Sequence, residues 1–314
     1  MSPNRPYYLF MRLGVLDVGS NTVHLLIVDA HPGSPPIPQE SFKSELRLTR
    51  YLDESGAISE TGLEKLLESI KNHFKSAEKL KPDEILAFAT SAIRESINSD
   101  QILEAIRNET GIGIEVLSGE DEAKFTFLAA RRWLGWSAGD LLVVDIGGGS
   151  LEIAVGNEET PRTALSLPLG AGRLTKDFLV GDPFTEKSIQ KLTKFVKENI
   201  EPIKEKLNGF DKKSGVGTSK TLRTLMKLQS EYFPKFEDGI HIEALDGITN
   251  RLCKMTESER AKLPGVSSNR APQIVAGAIV AQAVMENLRI KSLKECPWAL
   301  REGIVLRRVD WLNS

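Results

Sequence analysis

Two stretches decide how this sequence folds: LGVLDVGSNTVHLLIVD (Leu13–Asp29) and LLVVDIGGGSLEIAVG (Leu141–Gly156). Each is an apolar run ending in an aspartate, then a glycine turn with a serine, then a second apolar run. In a P-loop or a dinucleotide fingerprint the glycines lie between a strand and a helix. Here the residues after the glycines are β-rich, there is no P-loop lysine and no G-x-G-x-x-G spacing. Each turn therefore reads as the tip of a β-hairpin. Glycines there let several backbone N–H groups converge on an anion, with Ser20, Asn21, Gly148, Gly149 and Ser150 as candidate phosphate-binding residues. Either turn alone could equally be a plain structural hairpin; two matched copies argue against that.

The aspartates add a constraint. Asp17 and Asp145 would repel a phosphate unless a cation lay between them. Mg²⁺ suits hard oxygen ligands and is commonly bound through one or two carboxylates plus phosphate; Mn²⁺ is the alternative. Glu152 follows Asp145 by seven residues, and a hairpin reversing at Gly147–Ser150 brings both carboxylates to one site. Asp17, Asp145 and Glu152 are the candidate metal ligands.

Working outward, strands alternate with helices, which predicts an α/β protein. A strand is expected around Ser44–Tyr51 after the proline-rich HPGSPPIPQ, and a helix over Ser59–Leu80. Strands are expected at Glu84–Thr90 and Ile112–Leu117, with a helix at Asp100–Thr110 between them. Another helix starts at Ser118, and a strand lies near Thr163–Leu167. The repeated opening predicts two copies of one domain: a tail over 1–12, a first domain over 13–135, a second over 136–297 and a C-terminal helix over 298–314 that packs back on the first. The apolar APQIVAGAIVAQAVMENL (Ala271–Leu288) carries Gln273, Gln282 and Glu286, so it reads as a buried helix rather than a membrane span.

Composition bounds the partners. The chain has 314 residues, 40% hydrophobic and 27% charged, and a net charge of −2. That predicts no bulk attraction to nucleic acid or membrane, so any polyanion must be held by local clusters. Two cysteines, Cys253 and Cys296, without metal-ligand spacing suit a reducing cytoplasm. MSPNRPYYLFMR lacks a long apolar region, so no signal peptide is expected. Helix content leaves homodimerisation open, with no motif specific to it.

In order along the chain, LDVGSNTVHLLIVD, FATSAIRES, VLSGEDEAKFTFLAA, VVDIGGGSLEIAVG, LPLGAGRLT and ALREGIV resemble the exopolyphosphatase/guanosine pentaphosphate phosphatase family. That family is part of the actin, sugar kinase and heat-shock ATPase superfamily, and the resemblance is to its short, two-domain form. It implies two ribonuclease H-like (actin-like ATPase) domains with a central cleft and hydrolysis of a terminal phosphate by water. The implied substrates are inorganic polyphosphate or guanosine pentaphosphate. The family's catalytic glutamate falls on Glu122 in SGEDEA, and Arg94 matches an arginine that grips phosphate. From the residues alone, Glu120, Asp121 and Glu122 could all be first-turn acids favouring a helix start, and Arg94 could pair with Glu95. GVGTSKTLRTL (Gly215–Leu225) resembles the superfamily's later glycine turn, though Ser219 capping a helix explains much of it.

Lys187, Lys191 and Lys194 share a helical face at i, i+4, i+7, with Lys197 near that stripe. Such a face is ordinarily just solvated; bordering a site, it would hold the distal part of a polyphosphate chain. Two other functions fit the scaffold: a small-molecule kinase, and a non-catalytic guanosine tetraphosphate sensor.

Overall fold

The computed structural model describes residues 10–210, 214–236 and 238–311. Most of the expected N-terminal tail, 1–9, and the last residues of the C-terminal helix, 312–314, lie outside the described residues. The chain divides into two compact units, 1–118 with 301–314, and 119–300.

The first unit opens with β1 (Met11–Val18) and β2 (Thr22–Ala30), an antiparallel hairpin in which Asp17 pairs with His24 and Val18 with Val23. The third strand is β3 (Ile37–Glu45) rather than Ser44–Tyr51, where a short 3-10 turn stands instead. It starts inside the proline-rich segment because it is an exposed edge strand. There Pro38, which has no N–H, sits beside a register shift opposite Ile27 and Val28. Helix α1 (Glu60–Ala77) begins at Ser59, whose hydroxyl accepts from the Gly62 amide. β4 (Glu84–Ala89), α2 (Ser91–Arg94), α3 (Ser99–Thr110) and a two-residue β5 (Glu115–Val116) follow.

Among the described residues these strands form one mixed sheet in the order β3-β2-β1-β4-β5. Strand alternation divides its faces. Leu16, Val18, Val23 and Leu25 pack against Leu66 and Ile70 of α1 and Ile102 and Ile106 of α3. Asp17 and His24 take the opposite face.

The second unit begins with α4 (Gly119–Leu134), then β6 (Leu141–Ile146), β7 (Leu151–Gly156) and β8 (Thr163–Leu167) as an antiparallel meander. After α5 (Ala171–Phe178) and α6 (Glu186–Ile200) comes β9 (Ser214–Gly217), parallel to β6. The rest is α7 (Lys220–Tyr232), β10 (Ile240–His241), α8 (Ile242–Cys253), α9 (Glu257–Arg260), α10 (Ile274–Leu288) and β11 (Ser292–Glu295). The sheet order is β10-β11-β9-β6-β7-β8. Its β8-β7-β6-β9 portion repeats the β3-β2-β1-β4 of the first sheet, so the sequence repeat is a repeat of topology.

One face of this sheet, with Leu142, Val144, Leu151 and Ile153, packs into a core dominated by α10, most of which is buried. No helix among the described residues is long and apolar enough to cross a membrane. The other face, with Leu141, Val143 and Ala154, is covered by Ala123, Phe127 and Ala130 of α4. That packing places α4 in the second unit although it precedes Gly135–Gly139, where the sequence suggested a boundary.

The last helix, α11 (Leu300–Trp311), groups with the first unit from Arg301 onward. Arg301 Nη1 lies 3.1 Å from Asp17 Oδ2, and Arg308 Nε 2.8 Å from Glu84 Oε2. Glu84 and Asp17 lie on the same face of adjacent strands, so α11 covers the polar face of the first sheet.

Candidate functional site

The hairpin register sets the chemistry of the second turn. Asp145 on β6 pairs with Glu152 on β7, and Glu152 with Ser166 on β8. The residue after β9, Thr218, extends the row on the other side, its amide bonding Val144 O at 3.2 Å. By alternation all four side chains lie on the face covered by α4. Ser166 Oγ donates to Glu152 Oε1 at 2.8 Å, and Thr218 Oγ1 donates to Asp145 Oδ2 at 2.6 Å.

Glu152 is 3% exposed. Burial pushes its pKa well above the ordinary carboxyl value, and the charges of Glu122 and Asp145 push the same way; bonds from Ser150 and Ser166 oppose them. Like charges placed opposite one another on adjacent strands are destabilising. Such a site favours either a proton or a cation, and its hard oxygen donors suit a divalent metal. Among the described residues no group of three or more His, Cys, Asp or Glu is placed to hold a metal ion by itself. That leaves two carboxylates plus phosphate as the ligand set the site could offer Mg²⁺.

The first turn of α4 carries three acids. Glu120 bonds Lys124 Nζ at 2.7 Å and Asp121 lies 3.9 Å from it. Glu122 is half-buried and near enough to Glu152 to raise its pKa.

The turn itself is held from behind by LGAGR. Ala171 N donates to Gly147 O at 3.0 Å, Gly172 N and Arg173 N to Gly148 O at 2.9 and 3.0 Å, and Arg173 Nε to Gly149 O at 2.8 Å. In a planar trans peptide the N–H points opposite to the C=O. Tying these three carbonyls to α5 therefore directs the amides of Gly148, Gly149 and Ser150 away from it, as an anion nest requires. The approach is so close that a Cβ on Gly170 would lie 2.2 Å from Gly149 C; only glycine fits.

The first turn closes with the same bond, Gly19 N to Thr22 O at 3.0 Å against Gly147 N to Ser150 O at 2.9 Å, but is backed differently: Ser20 Oγ bonds Ser91 Oγ at 2.8 Å, and Asn21 O accepts from the Leu46 and Arg47 amides, both at 3.0 Å. Asp17 faces no second carboxylate within its sheet row. Its neighbours there are His24 and then Lys43, and Arg301 pairs with it from α11. Burial raises the Asp17 pKa above the ordinary carboxyl value; Arg301 and Lys43 oppose that rise without cancelling it, and Glu302 adds to it. His24, bonded through Nε2 to Ser41 Oγ at 2.7 Å, is pushed down to about 3 by burial first, then by Arg301, Lys43 and His73.

Arg94 ends α2. Its Nη1 donates to Leu117 O at 2.9 Å, and Glu95 is only a loose neighbour at 3.8 Å. Lys187, Lys191, Lys194 and Lys197 are all exposed on α6, with Lys194 3.8 Å from Glu198 and Lys197 2.9 Å from Glu286.

Thus the structure brings together Glu122, Asp145, Glu152 and the Gly148–Ser150 turn in one unit, and Asp17, Ser20, Asn21 and Arg94 in the other. Sequence reasoning missed Thr218, Ser166, Arg173 and Arg301. Thr218, Arg173 and Arg301 lay inside quoted motifs, but their partners are distant in the chain.

The chain matches the model of the Ppx/GppA phosphatase family over residues 26–311. It is 48% identical over 305 residues to Exopolyphosphatase 1 of Mycobacterium tuberculosis, covering 96% of this chain and 89% of that protein. It is 47% identical to Exopolyphosphatase 1 of Mycobacterium leprae, over 96% and 90%. Among solved structures, the Aquifex aeolicus Ppx/GppA family member superposes with a TM-score of 0.81 at 28% identity, over 98% of this chain and 100% of that one. An exopolyphosphatase from Cytophaga hutchinsonii shares the fold with a TM-score of 0.85 at 24% identity, over 96% and 98%. This chain belongs to the Ppx/GppA phosphatase family.

Proposed function

We propose that this chain is an exopolyphosphatase, releasing the terminal phosphate of inorganic polyphosphate by hydrolysis, with Mg²⁺ as the metal and Mn²⁺ as its substitute. The observation that carries the reading is Glu122 placed beside the Asp145–Glu152 pair at the edge of a glycine turn. The names of the mycobacterial relatives support the substrate. Guanosine pentaphosphate ends in the same kind of phosphoanhydride and is the second substrate of the reading. Free thiols at Cys253 and Cys296 suit a cytoplasmic enzyme.

In this reading Glu122 takes a proton from the attacking water. Its place in the first turn of α4 favours the ionised form a base needs. In the second unit the amides of Gly148, Gly149 and Ser150 receive phosphate oxygens; in the first unit Ser20, Asn21 and Arg94 are the phosphate-binding residues of the reading, Arg94 as a fixed cationic fork. Asp145 and Glu152 hold the metal, which when bound neutralises charge on the phosphoryl oxygens. In the first unit Asp17 is paired with Arg301, so the metal assignment rests mainly on the second turn. The exposed lysines of α6 would contribute weak, salt-sensitive attraction to a long chain.

Phosphate release from long-chain polyphosphate and from guanosine pentaphosphate, with Mg²⁺, tests the reading. Release by the wild type that falls about 10²-fold or more in folded Glu122→Gln supports it. No release from either substrate would move a kinase or a nucleotide sensor ahead, and near-normal Glu122→Gln would remove the base.

A further inference from the structure

We propose that Thr218 is a positioning residue for Asp145, its hydroxyl setting how tightly the second turn binds a divalent cation. The inference rests on the reading of Asp145 as a metal ligand. Thr218 has no solvent exposure, and its Oγ1 lies 2.6 Å from Asp145 Oδ2. A hydroxyl donating to an ionised carboxylate at that distance is among the stronger hydrogen bonds a side chain makes.

The backbone holds the hydroxyl in place from both sides. On one side β9 runs parallel to β6, Val216 beside Val143 and Gly217 beside Val144, and the Thr218 amide adds one more bond to Val144 O. On the other side Ser219 begins α7, its hydroxyl accepting from the Leu222 amide at 3.2 Å. Gly217 permits this close fit: a Cβ there would lie 2.9 Å from Leu222 Cδ1. A β-branched side chain has few χ1 choices, so Thr218 meets Asp145 with little further ordering cost.

What the bond does follows from its direction. Thr218 approaches Asp145 from the β9 side and Glu152 stands on the β7 side. With Oδ2 bonded to Thr218, rotation of the Asp145 carboxylate is restricted. Groups that orient metal ligands in this way change metal affinity roughly 10- to 100-fold when removed. The later glycine turn of the sequence, GVGTSKTL, thereby serves the acidic site directly, in addition to capping a helix.

The test is a Mn²⁺ titration of the full chain without substrate, followed by electron paramagnetic resonance. Thr218→Val keeps the volume and removes the donor; its Mn²⁺ affinity should fall roughly 10-fold or more, with a far-UV spectrum and melting profile like the wild type's. Thr218→Ser, which keeps the donor, should stay within about threefold of wild type, well inside the loss expected from removing the donor. Should Thr218→Val fail to fold, Thr218→Ala cannot overpack and carries the same expectation. Unchanged affinity in Thr218→Val while Asp145→Asn binds poorly overturns the role of Thr218 and leaves Asp145 as ligand. Equal loss in the Val and Ser variants also overturns it, since packing alone would explain that. Full affinity in Asp145→Asn, or no Mn²⁺ binding by the wild type, overturns the metal reading and this inference with it.

Discussion

The two sheets carry corresponding polar rows of opposite character. In the second sheet the row reads Ser166, Glu152, Asp145, Thr218, and α4 brings Glu122 to it. In the first the row reads Lys43, His24, Asp17, Phe88, and α11 brings Arg301. Each β-hairpin carries an aspartate one residue before the end of its first strand, yet one sits opposite a glutamate and the other opposite a histidine. A duplicated fold has thus kept its geometry and divided its electrostatics. The second row sets two carboxylates side by side, while the first sets a single carboxylate beside a histidine and an arginine, with Glu302 of α11 also raising its pKa. On this contrast rests our proposal that the metal belongs to the second turn, with the first a more cationic setting for phosphate.

The largest effect that could break this contrast is catalytic. Glu122→Gln should lower kcat by about 10²- to 10⁴-fold, with polyphosphate binding retained, as read by phosphate release and by equilibrium binding. Nearly as severe in a different way is Gly170→Ala. The added methyl collides with the backbone of the second turn, so unfolding free energy should fall by about 3 kcal/mol or more, measured in urea. The first turn is backed through Asn21 O and Ser20 instead, and its own serine gives the smallest effect, below.

His24 and Glu152 should also respond to pH in opposite directions. His24 has a pKa lowered to about 3 from 6.5, so the unfolded chain binds more protons in that interval. Its contribution is complete above 6.5 and is lost as pH falls toward 3. Glu152 has a raised pKa, so in metal-free protein the folded state keeps the proton longer. Stability is then lost as pH rises above the ordinary carboxyl value of 4.5 toward the raised one. Melting of the metal-free chain across this range should be flatter on the acid side in His24→Gln and flatter on the alkaline side in Glu152→Gln. Smallest of all, Ser20→Ala removes one hydroxyl bond to Ser91 and should cost about 1 kcal/mol, visible as a small shift of the urea midpoint.

Much of this was legible in the sequence, where local pattern and tertiary role agree. The hairpins at Asp17 and Asp145, helix α1 with its Ser59 cap, and β8 all follow from alternation, helical spacing and turn residues. β3 was misplaced because an exposed edge strand carries little hydrophobic pattern and two of the residues beside its start are prolines. The partners of the acidic site were hidden for another reason. Thr218 and Ser166 are ordinary hydroxyls until strand pairing aligns them with Asp145 and Glu152, and Arg301 meets Asp17 only because α11 returns to the first unit. Similarly, nothing local to Gly119–Leu134 marks that helix as the cover of the second sheet; its apolar stripe only asks for some sheet.

The most direct measurement is Mn²⁺ binding to the metal-free chain, comparing Asp145→Asn with Asp17→Asn. The two substitutions are chemically identical and sit at corresponding places in the two hairpins. The account predicts that Asp145→Asn abolishes tight binding while Asp17→Asn leaves it close to wild type. Loss of binding in Asp17→Asn with retention in Asp145→Asn would contradict it, and would place the metal on the row that Arg301 serves.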